Sequence, residues 1–372
     1  MGQGGLPLVL LAAGGTGGHL FPAEALAEAL GRRGVAVDLA TDERAEHYGS
    51  QFPAREIHII PSATVRSRNP LALIRTGAVL GAGLAKAYAL LGRVKPAAVV
   101  GFGGYPTVPP LLAATFRGLP TLIHEQNAVM GRANRMLASR VTAIATSFAG
   151  VLDAKPALAA KGTRTGNPVR PAVIAAAQPY GTPDPTGPFH LIVFGGSQGA
   201  RVMADIVPAA LERLEPHLQM RIRVVQQARE EDLARVRMVY GRTQIAAEVS
   251  PFFRDLPARI AASHLVVARA GASTVAELAV LGRPAILVPL PHALDQDQMA
   301  NAGVLEKAGG AIRLRQDQFT ADRLAAEITE LATAPGKLAA MAAAAGAQGN
   351  SDSADRLADL VLQTMDKTVS LP

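Results

Sequence analysis

The sequence predicts an α/β protein of parallel βαβ units arranged in two similar halves. Two observations carry this. A short Val/Ile/Leu/Ala run, then glycines or polar residues, then a segment of helical spacing recurs along the whole chain. The segment Val9-Leu10-Leu11-Ala12-Ala13-Gly14-Gly15-Thr16-Gly17-Gly18 is also echoed by Ile192-Val193-Phe194-Gly195-Gly196-Ser197-Gln198-Gly199, so that each half opens with a strand, a double glycine, a hydroxyl residue and a glycine. At 372 residues with 49% hydrophobic content, the chain suits two domains better than one core.

The predicted strands of the first half are Leu8–Ala13, Val35–Ala40, Ala97–Gly101, Thr121–His124 and Val141–Ala145; those of the second are Leu191–Phe194, Ile222–Val225, Gln244–Val249, Leu265–Ala268 and Ala285–Pro289. Several are apolar throughout, as strands covered on both faces must be. After Gly18 a helix is expected, with Pro22 in its first turn, Leu26 and Leu30 on one face, and Gly31 or Gly34 at its end. The proline-rich stretch after Gly166-Asn167-Pro168-Val169-Arg170-Pro171 reads as a linker, which places a first domain at 1–167 and a second at 168–350. The segment Ser353–Met365 is amphipathic, with Leu357, Leu360, Val361 and Met365 on one side, and a helix over about 351–366 is expected to return to the first domain.

Composition narrows the function. The absence of cysteine excludes disulfides, thiolate metal sites and cysteine nucleophiles, and favours a cytosolic setting. The start has no basic n-region, and its apolar run Leu6–Ala13 passes straight into glycines, as a buried strand does. A net charge of +7 favours anionic partners, but with 4% aromatic residues and no tryptophan the stacking platforms of a nucleic-acid binder are missing.

In open parallel sheets ligands gather beyond the carboxyl ends of the strands. Six of these ends are glycine-rich or polar: GGTGGH (14–19), GFGGYP (101–106), HEQN (124–127), GGSQGAR (195–201), RAGAST (269–274) and HALDQDQ (292–298). Divided between two halves, they suggest two ligand-lined rims across a cleft. GGTGGH has neither the dinucleotide nor the P-loop spacing. Its glycines still let backbone N–H groups reach phosphate at a helix N-terminus, or else they simply make a tight turn. GGSQGAR adds the Ser197 hydroxyl and the Arg201 cation to the same kind of nest. Thr274 and Glu277, three apart, read either as a capping box or as a loop whose carboxylate grips ribose hydroxyls. His19 stands where an imidazole can take a proton from a sugar hydroxyl, although a lone histidine is as readily structural. His124-Glu125 lacks a second histidine at helical spacing, and Asp295-Gln296-Asp297 is a common tripeptide, so no metal is assigned. The segment Asn69–Lys86 is apolar but interrupted by Arg75 and Lys86, too short to span a bilayer of ~20 residues. With Arg66, Arg68 and Arg93 nearby, it fits an anionic membrane surface, or else one or two core helices.

In order, the motifs GGTGGHLFPA, GFGGYPTVPP, HEQNAVMGRANR, GNPVR, GGSQGAR and RAGASTVAELAVLGRPAILVPLPHALDQDQMANA resemble the MurG family of bacterial cell-wall glycosyltransferases over nearly the whole chain. The resemblance implies a GT-B architecture of two Rossmann-like, doubly wound domains, with no metal or other cofactor. It implies transfer of N-acetylglucosamine from UDP-N-acetylglucosamine to the 4-hydroxyl of MurNAc-pentapeptide on undecaprenyl diphosphate, turning lipid I into lipid II. The enzyme would then sit at the cytoplasmic face of the inner membrane, in the service of cell-wall synthesis, cell shape and division. By motif position, Ser197 would meet the diphosphate, the backbone of Phe253 the uracil, and Ala272, Ser273, Thr274, Val275, Ala276 and Glu277 the phosphates and ribose. Gln298 would meet the sugar, and Asn127, Arg170, Thr16, Gly17 and Gly18 would also contact the donor. His19 is the expected base of an inverting reaction, with Tyr105, His124 and Glu125 behind it. Asp297, before Gln298, departs from the family pattern, as do the proline-rich linker and the phenylalanine at 253. The alternatives are a UDP-N-acetylglucosamine 2-epimerase, which leaves the 66–93 patch unexplained, and a non-catalytic nucleotide-sugar-binding protein, which would be indifferent to His19. A nicotinamide oxidoreductase fails on glycine spacing.

Overall fold

The computed structural model describes residues 6–14, 17–43, 52–63, 69–196, 199–291 and 296–369. Thr16 and Ser197 lie outside the described residues, as do Arg66, Arg68, residues 292–295 and the side chain of Arg75. The chain divides into two compact units, Met1–Arg170 with Ser351–Pro372, and Pro171–Asn350.

In unit 1, strands β1 (Leu8–Ala12), β2 (Ala36–Thr41), β3 (Ile57–Ile59), β4 (Ala98–Gly101), β5 (Thr121–Glu125), β6 (Ala143–Thr146) and β7 (Gly162–Arg164) form a parallel sheet in the order β3-β2-β1-β4-β5-β6-β7. The helices between them are α1 (Gly17–Arg32), α2 (Pro70–Val94), α3 (Val108–Phe116), α4 (Arg132–Leu137) and α5 (Pro156–Ala159). Alternate residues of one strand feed opposite cores: Val9 and Leu11 pack with Leu26 and Leu30 of α1, whereas Leu10 and Ala12 pack with Leu91 of α2 and Leu111 of α3. That division is why the strands read as unbroken apolar runs. α1 starts at the glycines, so Pro22 is an interior residue and not the first-turn residue expected. Its ring removes only the bond that would reach the carbonyl of Gly18, itself at the exposed helix start. The helix ends as Val35 N–H reaches the Leu30 carbonyl and Gly34 N–H the Gly31 carbonyl, the paired bonds of a left-handed glycine cap.

Unit 2 repeats the plan. Strands β8 (Phe189–Phe194), β9 (Ile222–Gln227), β10 (Ala246–Ser250), β11 (Leu265–Ala268), β12 (Ala285–Leu287) and β13 (Ala311–Arg313) are parallel in the order β10-β9-β8-β11-β12-β13. The helices are α6 (Pro171–Ala176), α7 (Arg201–Glu212), α8 (Pro216–Arg221), α9 (Glu230–Tyr240), α10 (Leu256–Ala261), α11 (Ala272–Leu281), α12 (Asp297–Ala308), α13 (Ala321–Thr333) and α14 (Pro335–Gly346). One face of the sheet packs Leu191, Val193, Val224 and Val267 against Met203 and Val207 of α7, Val236 of α9 and Ile328 of α13.

The last helix, α15 (Ser353–Val369), belongs to unit 1. It buries Leu357, Ala358 and Val361 in the same core as α1, while Arg33 reaches Asp355 at 2.7 Å and Asp359 at 2.9 Å along its rim.

In each sheet the first strand of the unit has later strands on both sides: β1 lies between β2 and β4, and β8 between β9 and β11. The crossovers leave in opposite directions there, which opens a crevice at the carboxyl ends of that central pair. GGTGGH and GFGGYP follow β1 and β4, and GGSQGAR and RAGAST follow β8 and β11.

Candidate active site

In unit 1 the two switch-point loops converge on His19, in the first turn of α1. A Cβ built on Gly103 would lie 3.5 Å from His19 Cε1, and one on Gly104 would lie 3.4 Å from Nε2. Both glycines have positive φ, 80° and 75°, where side chains are rarely accommodated, so the backbone can run close beside the imidazole. The buried Thr107 hydroxyl stands 2.7 Å from the Gly103 carbonyl and 3.1 Å from that of Ala12, holding the ends of β1 and β4 together. Gly17 is buried at the helix start, Gly18 is exposed, and Tyr105 opens the short 3-10 turn between the glycines and α3.

His124 and Glu125 are buried and committed to the scaffold. Nε2 of His124 donates to the Gly166 carbonyl at 2.9 Å, and burial holds its pKa down to about 4, so the ring is neutral at physiological pH. The Glu125 carboxylate takes four donors: Asn127 N–H and Nδ2 on Oε1 at 2.9 and 3.2 Å, and Gly131 N–H and Asn134 Nδ2 on Oε2 at 2.9 and 2.8 Å. Burial raises its pKa and the four donors oppose that rise. A carboxylate so occupied organises the 126–134 loop and has no lone pair to spare for a base's work. Asn134 was not singled out in the sequence. It also lies 3.5 Å from where a Cβ on Gly103 would be, so it joins the Asn127 loop to the His19 pocket. Its signal was a polar residue between Ala133 and Leu137 on the buried side of a short helix, where a buried carboxylate needs donors. Arg170 stacks over the Phe21 ring at 4.1 Å, and it opposes the burial that pushes the Glu24 carboxyl up.

In unit 2 the loop after β8 doubles back on itself, since a Cβ on Gly195 would come within 2.2 Å of Ala200 N and Gly199 N–H bonds the Gly196 carbonyl at 3.0 Å. Arg201, exposed at the start of α7, lies 3.5 Å from Asp205. After β11, α11 begins at Ala272 with Gly271 as its cap, and the first helical bond runs from Val275 N–H to the Gly271 carbonyl. The N–H groups of Ala272, Ser273 and Thr274 therefore have no place in the helix ladder and point out at its positive end. This corrects the capping-box alternative: Thr274 is the third residue of the helix and the buried Glu277 the sixth, so they are not cap and partner. Asn301 Nδ2 donates to the Ala270 carbonyl at 3.2 Å and ties α12, which carries Gln298, to this loop. Gln298 Oε1 accepts the Leu290 N–H at 3.0 Å. Phe253 is 8% exposed and its ring lies under the Arg259 guanidinium at 4.6 Å, which leaves mainly its backbone to face a ligand. Arg269 serves structure, donating to the carbonyls of Val288 and Pro289 at 3.0 and 3.1 Å.

Among the described residues one group has metal-ligand composition, Asp38, Glu56 and His58 in unit 1. Arg55 already engages both Asp38 oxygens at 3.0 Å, and His58 Nε2 lies 3.1 Å from the second, so a cation would have to displace the guanidinium.

Comparison with known proteins gives this arrangement a context. Residues 9–146 match the glycosyltransferase family 28 N-terminal domain and residues 190–357 the family 28 C-terminal domain. A UDP-N-acetylglucosamine–N-acetylmuramyl-(pentapeptide) pyrophosphoryl-undecaprenol N-acetylglucosamine transferase from Rhodopseudomonas palustris (strain BisA53) is 63% identical over 358 residues, 96% of each chain. The crystal structure of Acinetobacter baumannii MurG superposes with a TM-score of 0.77 at 28% identity, covering 96% of this chain and 99% of that one. A UDP-N-acetylglucosamine 2-epimerase structure gives 0.69 at 15% identity over 99% of both chains, a likeness of fold alone. The two parallel-sheet units are those of the GT-B fold. The chain therefore belongs to glycosyltransferase family 28 and, within it, to the MurG family of N-acetylglucosamine transferases.

Proposed function

We propose that the chain transfers N-acetylglucosamine from UDP to the 4-hydroxyl of MurNAc-pentapeptide on undecaprenyl diphosphate, converting lipid I to lipid II in peptidoglycan synthesis. The observation that carries the reading is 63% identity over 96% of the chain to a relative bearing that name. The epimerase alternative has only the shared fold on its side.

In this reading unit 2 holds the donor. The N–H groups of Ala272–Thr274 at the start of α11 face the diphosphate, with the loop of Ser197 beside them; the backbone of Phe253 meets the uracil, Glu277 takes the ribose hydroxyls and Gln298 the sugar. Unit 1 holds the acceptor and also contributes Gly17, Gly18, Asn127 and Arg170 to the donor. His19 takes the proton of the acceptor hydroxyl as its oxygen attacks C1 of the sugar. The bond from C1 to the diphosphate oxygen breaks with inversion, and UDP departs with the electron pair toward positive helix ends. Thr16 and Ser197 retain the roles that motif position gives them.

The same reading places the enzyme peripherally on the inner membrane. Among the described residues no helix is long and apolar enough to cross a bilayer. Beside the exposed turns of α2, however, Tyr88 and Phe116 stand 44% and 63% exposed, with Arg117 stacked over the Tyr88 ring at 3.9 Å. Aromatic side chains bordered by cations suit an anionic lipid surface.

The test is transfer of labelled N-acetylglucosamine to a short-chain lipid I analogue with EDTA present, comparing the wild type with His19→Ala. Transfer that survives EDTA and collapses in the variant, with UDP binding intact, supports the reading. Epimerised or merely bound donor would overturn it.

A further inference from the structure

Gln227 is the last residue of β9, the strand between β8 and β10. Its Oε1 accepts the Gly195 N–H at 3.2 Å, and its Nε2 donates to the Pro251 carbonyl at 3.1 Å. Gly195 and Pro251 are the first residues past the ends of β8 and β10. The last backbone pairs are Val193 with Gln226 on one side and Ser250 with Gln227 on the other. One step beyond, where the strands part into their loops, this side-chain amide bonds to both neighbours at once, beside the Ala228 N–H that donates to the Ser250 carbonyl at 3.1 Å.

The described ends of each loop are held closely by their surroundings. The glycine loop is folded tightly at Gly195, and at its far end a Cβ on Gly199 would come within 2.7 Å of Arg229 Cγ. The Arg229 guanidinium is in turn held by Asp232 at 2.8 Å and Glu231 at 2.9 Å. In the other loop Ser250 Oγ donates to the Phe252 carbonyl at 2.9 Å, and Arg259 covers Phe253. Because, among the described residues, Gln227 is the one side chain that bonds the first residue past both strands, losing its amide relaxes the spacing of Gly195 and Pro251 while the bonds within each loop's described ends stay in place.

We propose that Gln227 is a positioning residue for the donor nucleotide: it fixes the distance between the loop that takes the diphosphate and the turn that meets the base. This rests on the proposed donor role of unit 2. A ligand that spans both loops feels the spacing, and one confined to the acceptor side does not.

The experiment compares the full-length wild type with Gln227→Met, which keeps the length and loses both bonds, and Gln227→Glu, which keeps the acceptor for Gly195 but sets an oxygen against the Pro251 carbonyl. UDP affinity is measured by calorimetry, together with KM for UDP-N-acetylglucosamine, KM for the lipid analogue, kcat and the melting temperature. In both variants the UDP Kd and the donor KM are expected to rise roughly tenfold, the scale of one or two neutral hydrogen bonds. Acceptor KM should stay unchanged, kcat within about threefold, and the melting temperature within about 2 °C. Donor constants within twofold of wild type would overturn the proposal, as would a general loss in which stability, kcat and both KM values move together. A wild type that binds no UDP would instead sink the donor role of unit 2, an outcome visible before any variant is made.

Discussion

Oε2 of Glu125 lies 2.8 Å from Nδ2 of Asn134, and through this contact a buried carboxylate governs the backbone that encloses His19. Glu125→Gln turns one acceptor oxygen into a donor facing the Gly131 N–H and Asn134 Nδ2. Unfolding in urea is expected to report a loss of about 1–3 kcal/mol, the scale of a buried polar group left without its partner. Transfer should fall with it, and donor affinity as well, since the rearranged loop carries Asn127, which motif position sets against the donor.

His124 makes stability depend on pH. Its folded pKa, held down by burial to about 4, lies below the free value of 6.5. Above pH 6.5 both states are neutral and nothing is lost. As pH falls from there toward 4 the unfolded chain takes up a proton that the native ring cannot, costing roughly 3 kcal/mol at the lower end. His124→Gln can still donate to Gly166 and does not titrate, so its melting temperature should fall less steeply over the same interval.

Gly104 stands against the imidazole in a backbone conformation that side chains rarely adopt. Gly104→Ala sets a methyl 3.4 Å from His19 Nε2 on a backbone at φ 75° and ψ 158°, at about 1–3 kcal/mol of strain. Transfer is expected to drop by more than about tenfold, because small misplacements of a reacting group are costly. UDP binding, measured by calorimetry, should be unchanged.

Phe116→Glu places a negative charge on the 63% exposed ring position beside Arg117. Co-sedimentation with vesicles containing anionic phospholipid should weaken. Binding of the wild type should fall between low and physiological salt, as surface electrostatics are screened.

Leu357 of α15 is fully buried in the core of unit 1. Leu357→Ala should cost about 2–5 kcal/mol in unfolding experiments, as for other large-to-small core changes. The adjoining Arg32–Asp355 contact, between side chains about half exposed, should be worth little when broken by Arg32→Ala, which leaves the Arg33–Asp355 pair in place.

Most of the ten strands read correctly were legible as apolar runs because their two faces feed two cores, the edge strand β10 being the exception, and several of the loops that follow them were legible as glycine motifs. The strands that escaped, β3, β7 and β13, are three residues long and lie at sheet edges, where neither length nor two-sided burial leaves a pattern. Pro22 and the Thr274/Glu277 pair were misplaced for one reason: both helices begin right after glycines, earlier than side-chain caps would indicate. His19 was visible from its place after a glycine loop. Long-range hydrogen bonds decide what His124, Glu125, Asn134 and Gln227 do, and no local spacing encodes that Gly166 accepts from His124 or that Pro251 accepts from Gln227.

Because α15 completes the core around α1 from the far end of the chain, unit 1 is encoded first but finished last. On the ribosome its sheet must wait, with the apolar face that α15 will cover still open to water, until all of unit 2 has emerged. Unit 2, continuous in sequence, can close beforehand. A nascent chain halted just after residue 350 should therefore present a protease-resistant second half and a first half that chaperones still hold.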